Sequence, residues 1–182
     1  MKLNRLLLVL LVAATASGQE KDQTKTSQTN SEGKKITFKS YLNQRAPEFI
    51  VEKWLTEEPV LKGKFLFIDF WATWCGPCRA AIPDANKFQQ RFRDKLVVIG
   101  VSNEPEAVVR KLTNPAIKYY SAIDTKERMK RKLELRGIPH VIIVDPQGIV
   151  RWEGFPFLHH NIVRNYELME RVIEELIAKY SN

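Results

Sequence analysis

The chain has 182 residues, 44% of them hydrophobic, 10% aromatic and 27% charged, and 29 Lys+Arg against 21 Asp+Glu give a formal net charge of +8. This composition excludes a disordered or collagen-like chain and suits one globular domain of about 150 residues. Two cysteines cannot build a multi-bridge scaffold, so their importance rests on reactivity or on one local bond.

At the N-terminus, Lys2 and Arg5 precede the apolar run Leu6 to Ala14, and Ala14-Thr15-Ala16 with Ser17-Gly18 supplies the small residues of a cleavage site. Residues 1–18 therefore read as a secretory signal peptide, which places the protein outside the cytoplasm, in a bacterial periplasm or cell envelope. The alternative is an uncleaved segment that tethers the domain to a membrane, although the run falls short of the roughly 20 apolar residues that span a bilayer. No cysteine near the cleavage site offers a point for lipid attachment. An exported protein has little access to the chromosome, so the basic excess argues for solubility and no nucleic-acid partner is expected. Its densest stretch, Lys126 to Arg136, is interleaved with Glu127 and Glu134 and reads as a solvated helix face.

From Gln19 to Lys35 no large apolar residue occurs, which predicts a flexible tether ahead of a domain spanning residues 36–182. Within the domain, Phe49 to Leu55 is a candidate strand closed by a turn at Glu57-Glu58-Pro59. Lys64 to Phe70 is a short apolar run suited to a strand buried on both faces. Cys78 to Phe92 reads as a helix with Pro83 inside it, a position where the missing N–H predicts a kink. Leu96 to Val101 is a second buried strand, and Pro105 to Leu112 a helix with proline near its first turn. Thr125 is a plausible N-cap for a helix reaching Leu135, with Gly137 as its stop. His140 to Val144, the turn Asp145-Pro146-Gln147-Gly148 and Ile149 to Glu153 make a strand, a turn and a strand. A last helix carries Ile162, Tyr166, Met169, Val172, Ile173, Leu176 and Tyr180 at three- and four-residue spacing, giving one apolar face. Strand–helix alternation followed by a hairpin and a helix is an α/β layer arrangement.

The chemistry concentrates in Trp74-Cys75-Gly76-Pro77-Cys78, which follows a buried strand and opens a helix. Two intervening residues let the sulfurs meet within one helical turn. The first cysteine then faces unpaired N–H groups and the positive end of the helix dipole, which stabilise a thiolate and lower its pKa below the free value of about 8.5. Pro77 suits an early helical position, where its missing N–H costs nothing. Cys75 is thus the expected nucleophile and Cys78, one turn inward, the resolving thiol. Other readings of the pair are half a zinc site, for which His159 and His160 are the available complement, and a purely structural disulfide of little entropic benefit. Haem attachment would need histidine where Arg79 stands. The pattern calls for no metal and no cofactor.

Asp69 lies inside the apolar strand, six residues before Cys75. Burial raises a carboxyl pKa toward the range of a proton carrier, so Asp69 is the candidate acceptor for the proton of Cys78, against the alternative that it merely bonds backbone N–H groups. Further on, Arg136-Gly137-Ile138-Pro139 precedes a strand. A cis bond before Pro139 would present the backbone of Ile138 beside the sulfurs, where an extended substrate segment could pair with it. His140 either tunes the site or fills strand space, and the second reading is the simpler. Trp71, Trp74 and Phe155-Pro156-Phe157 are candidate groove walls as well as candidate core.

The segments IDFWATWCGPCRAAIP and RGIPHVIIVDPQG, with the alternation around them, resemble the thioredoxin superfamily over most of residues 36–182. The resemblance implies a single-domain thioredoxin-like fold, a central mixed β-sheet flanked by helices, with a cis peptide before Pro139 and disulfide exchange at Cys75 and Cys78. The export signal, the segment Arg45-Ala46-Pro47-Glu48-Phe49 and the extra sequence between Val101 and Arg136 look like the exported TlpA/ResA-type proteins. Asp69 stands where many of those carry asparagine and resembles ordinary thioredoxin instead. A peroxiredoxin-type pattern would need proline at Ile68 and threonine at Ala72. The expected activity is a thiol–disulfide oxidoreductase that reduces cysteine-containing protein substrates. The Gly-Pro pair resembles reducing thioredoxin, for which about −270 mV is typical, and such a reductant needs an electron donor, expected to be a membrane protein. Two alternatives are a groove-binding or chaperone-like module with a static disulfide, and an envelope thiol oxidant.

Overall fold

The computed structural model describes residues 25–29, 35–156 and 162–181. Its elements are, in chain order, β1 (Lys25–Thr29), β2 (Lys35–Lys39), β3 (Lys53–Trp54), β4 (Phe65–Trp71), α1 (Gly76–Phe92), β5 (Leu96–Ser102), α2 (Glu106–Val109), β6 (Tyr120–Ile123), α3 (Arg128–Lys132), β7 (His140–Val144), β8 (Val150–Gly154) and α4 (Ile162–Tyr180). The signal segment at residues 1–18, together with Phe157, His159 and His160, lies outside the described residues.

Six strands form a mixed sheet in the order β3-β6-β5-β4-β7-β8. β4 runs parallel to β5 and antiparallel to β7, so both of its edges are hydrogen-bonded. With neighbours on both edges and cover on both faces, β4 and β5 have no use for alternating polar residues and read as continuous apolar runs. The Phe65, Phe67 and Trp71 face joins Val98, Val141 and Ile143 under Cys78, Ile82, Ala85 and Phe88 of α1 and Met169 and Ile173 of α4. On the opposite face Ile68, Phe70, Val97, Ile99 and Ile142 pack with Phe38 of β2 and Met129 and Leu133 around α3. Pro83 lies inside α1, which continues through it to Phe92. No helix of the described residues is long and apolar enough to cross a membrane.

Several elements differ from the expectations, each for a physical reason. Lys25–Thr29, expected within a tether, pairs antiparallel with Lys35–Lys39. A two-stranded ribbon of this kind rests on its backbone ladder, which hydrophobic patterning does not report. The strand expected over Phe49 to Leu55 is reduced to Lys53–Trp54, paired with Ala122 and Ile123. Phe49, Ile50 and Val51 instead pack their side chains on the cluster of Phe38, Ile68, Phe70 and Met129. α2 ends at Val109 rather than Leu112, because Lys111 and Leu112 donate to the Val108 and Val109 carbonyls three residues back, turn bonds in place of helical ones.

The helix expected from Thr125 starts later: Glu127 holds the N-cap position without a side-chain capping bond, and Asp124 serves the first turn from outside the helix. The Thr125 N–H and hydroxyl both turn to Glu52, while Asp124 accepts from the Met129 N–H at 3.0 Å and from Arg128 Nε at 2.9 Å. Glu127 takes a left-handed φ of 51° before α3 begins. The stop also moves. Glu134, at φ 50°, closes α3 three residues ahead of Gly137, with the Leu135 N–H reaching back to the Lys130 carbonyl at 2.9 Å, as in a Schellman cap.

Because Asp124 is 2% exposed and serves two donors, Asp124→Ala leaves both unsatisfied. Urea unfolding should show it less stable by about 1–3 kcal/mol, with Thr125→Ala, at a more exposed position, costing less.

Candidate active site

β4 delivers the chain to the site. Beyond Trp71 the Ala72 carbonyl accepts the Cys75 N–H at 3.1 Å, a tight turn that aims Cys75 at the start of α1. Cys75 is the N-cap, with extended backbone (φ −80°, ψ 103°), and its Sγ accepts the Cys78 N–H at 3.2 Å. A helix N-terminus carries unpaired N–H groups and a partial positive charge, so the cap sulfur sits where a thiolate is favoured. Pro77 falls in the first turn, where it removes no intrahelical hydrogen bond.

Cys75 and Cys78 are joined by a disulfide, with their Cα atoms 5.2 Å apart. Cys78 has no exposed surface and Cys75 is 4% exposed, so the outer sulfur is the one an incoming thiol can reach. Around them the surface is open. A Cβ built on Gly76 would meet nothing within 4 Å, and the neighbouring Trp74 is 71% exposed. Trp71 is different: at 1% exposure it belongs to the core and lines no groove.

The antiparallel pairing of Phe70 with His140 sets the start of β7 beside the end of β4. This register brings Ile138-Pro139, joined by a cis peptide, to the level of the cysteine turn, and Ile138 packs on the cluster that holds both cysteines. His140 points the other way. It is 1% exposed and its ring meets Phe38 and Phe155 edge-on, at 4.6 and 5.4 Å between centroids. Burial pushes its pKa down from 6.5 to about 3, so it stays neutral near neutrality.

Asp69 occupies β4 on the face that packs under α1, two residues from Phe67 and two from Trp71. It is 3% exposed, and its Oδ1 has no hydrogen-bond partner. Desolvation by burial pushes its carboxyl up from 3.8 to about 7.

One contributor to the site carried no motif. Glu104, just past β5, accepts from the Thr73 N–H at 2.6 Å and from the Thr73 hydroxyl at 2.7 Å, and also holds the Ser102 hydroxyl at 3.2 Å. It pins the turn that leads into Trp74 and Cys75. An acid directly after a buried strand was the available signal.

The sheet that carries this disulfide is thioredoxin-like, and relatives named thiol-disulfide oxidoreductase match the chain at 30% identity: the protein is a thiol–disulfide oxidoreductase. Over residues 42–153 the chain matches the AhpC/TSA family, and it belongs to that family. Thioredoxin-like protein YneN of Bacillus subtilis (strain 168) is 30% identical over 115 residues, 59% of this chain and 68% of the relative. Thiol-disulfide oxidoreductase ResA of Bacillus thuringiensis (strain Al Hakam) is 30% identical over 118 residues, 62% of this chain and 68% of the relative. The solution structure of a thioredoxin-like protein in its oxidised form gives a TM-score of 0.64 at 23% identity, covering 77% of this chain and 99% of the other. At that identity the likeness is one of fold. The resemblance to the thioredoxin superfamily and its ResA-type members is borne out. Ile68 and Ala72, where a peroxiredoxin-type pattern would need proline and threonine, are buried apolar residues at 2% and 0% exposure.

The shifted carboxyl has a consequence for stability. Between pH 3.8 and about 7 the folded state binds a proton on Asp69 that the unfolded chain releases, so this group's contribution falls as pH rises and is lowest above pH 7. Asp69→Asn removes the penalty. At pH 8 the oxidised variant should be more stable than wild type by about 4 kcal/mol, and the gap should close toward pH 4 in denaturant titrations of the two proteins.

Proposed function

We propose that this protein reduces disulfides of protein substrates outside the cytoplasm, cycling between the Cys75–Cys78 disulfide and the dithiol. The observation that carries the reading is the disulfide that caps α1. In the reduced protein the Cys75 thiolate attacks a substrate sulfur and the substrate S–S bond breaks. A mixed disulfide forms, and the first substrate thiolate leaves and takes a proton from water. Cys78 then gives its proton to Asp69 and attacks the Cys75 sulfur. The Cys75–substrate bond breaks, the second substrate thiolate leaves, and it recovers the proton from Asp69. One substrate disulfide is reduced for each Cys75–Cys78 disulfide formed.

The backbone of Ile138, ahead of Pro139, is proposed to pair with an extended substrate segment and hold its cysteine over Cys75. Trp74 and the open space at Gly76 supply the rest of the contact surface. Regeneration requires two electrons from a dithiol donor, proposed to be a membrane protein. Residues 1–18 are proposed as the export signal, or, if retained, as a membrane tether ahead of the domain, whose N-terminal boundary is proposed at residue 36. The periplasm or cell envelope follows from that signal and from the exported type of protein the sequence resembles.

Insulin reduction by the reduced protein tests the activity. Wild type should accelerate it, Cys75→Ser should return it to the uncatalysed rate, and Cys78→Ser should accumulate the mixed disulfide. A static-disulfide binding module would show no acceleration. The direction of electron flow is read from the reduction potential, followed by tryptophan fluorescence in thiol buffers. A value near about −270 mV is expected, and one near about −120 mV would make the protein an oxidant.

A further inference from the structure

The parallel registers of β4 with β5 and of β5 with β6 set Asp69, Gly100 and Ser121 side by side across three strands, their side-chain positions on one face of the sheet. Gly100 leaves the middle of that row empty. A Cβ placed on it would lie 2.8 Å from Tyr119 Cε2 and 2.9 Å from Trp71 Nε1, so the phenol ring and the indole N–H edge close over the glycine from either side. Tyr119 is 3% exposed and Ser121 5%. Four polar atoms gathered here, Asp69 Oδ1, Trp71 Nε1, Tyr119 Oη and Ser121 Oγ, are buried without a hydrogen-bond partner among the described residues. Buried polar groups are seldom left unpaired, so atoms gathered in this way are candidate partners for one another, directly or through a buried water. The Tyr119 hydroxyl also feels the Asp69 carboxylate, which joins burial in pushing its pKa well above 10.0.

We propose that Tyr119 is a positioning residue for the proton-accepting carboxyl of this oxidoreductase: its hydroxyl donates to ionised Asp69, through one shared water or by a small turn of the carboxyl group. The inference rests on the reading of Asp69 as the acceptor for Cys78. A donor to the ionised form offsets part of the burial that Asp69 suffers and so lowers the pH at which it can take a proton. From the other elements packed around it, Asp69 faces Gly100 of β5 and Val141 of β7 in register, and Cys75, the cap of α1, and Cys78 on its own side of the sheet. His140 is on the opposite face, with Phe38 and Phe155. No charged side chain contributes to the shift of Asp69, which leaves neutral donors to tune it, and of these the phenol is the one coupled electrostatically to the carboxylate. Trp71 Nε1 is the second donor at hand; both rings belong to the core, but the phenol can lose its hydroxyl with its ring kept, whereas the indole N–H cannot be removed without replacing the ring.

The test is Tyr119→Phe in the full chain, which keeps the ring over Gly100 and removes only the hydroxyl. Asp69 is titrated in the oxidised protein by carboxyl carbon NMR, a readout independent of turnover. Its midpoint should rise by about one unit, a tenfold change in proton affinity. A move of less than about a fifth of a unit would overturn the proposal. In an Asp69→Asn background, the same substitution should leave the pH profile of thiol exchange unchanged. A profile that still moves there would show that Tyr119 acts on the sulfurs directly and would also overturn it. If Asp69→Asn alone leaves the wild-type profile intact, the acceptor role of Asp69 fails, while the oxidised-state titration still decides whether Tyr119 tunes its carboxyl.

Discussion

The hydrogen-bonding of β4 on both edges is the constraint on which the site depends. β5 holds it on one side and β7 on the other, and six of its seven residues are large apolar side chains facing two separate cores, five of them buried. Burial of each such side chain contributes about 1.5–3 kcal/mol. A strand fixed in this way ends at one place and in one direction, so the turn through Ala72, Thr73 and Trp74 presents Cys75 to α1 without searching. Helix N-terminus, disulfide and β7 start are consequences of that placement. Glu104 adds the remaining restraint from the end of β5, tying the turn itself to the sheet.

What the sequence made legible follows the same physics. β4, β5 and β7 are continuous apolar runs because they are covered on both faces, and α4 declares itself by an apolar face, seen in the buried Met169 and Ile173. The cysteine turn was legible because glycine, proline and two cysteines in that order after a strand admit few alternatives. β6 was missed. Its four residues Tyr120–Ile123 are too few to show a period, and Ser121 in their midst dilutes the apolar run. The start of α3 differs because Thr125 turns to Glu52, 73 residues away, and leaves the N-cap position to Glu127. Tertiary partners of that kind leave no local trace.

The same limit applies inside the site. Asp69 stood out as a charge in an apolar strand, whereas nothing near Tyr119 distinguishes it from any aromatic in a loop. Its importance appears when β5 and β6 are in register and Gly100 leaves the space over which its ring lies. A glycine in the middle of a buried strand weakens it and commonly marks a close approach by another group. Here the groups that approach are a phenol and an indole N–H, both brought toward a carboxyl.

Two titratable side chains are buried on opposite faces of this sheet, and comparing them separates cost from use. His140 and Asp69 lie on adjacent strands, both without a partner for a ring nitrogen or an oxygen, and burial drives both toward neutrality. The signs differ. Burial takes the histidine down to about 3, far below any working pH, so it is neutral packing between Phe38 and Phe155. Burial takes the carboxyl up to about 7, into the range where a proton can be accepted and returned with little loss either way. Desolvation alone thus makes one buried group inert and the other responsive. The proposed proton acceptor is the one whose face of the sheet also carries the sulfurs.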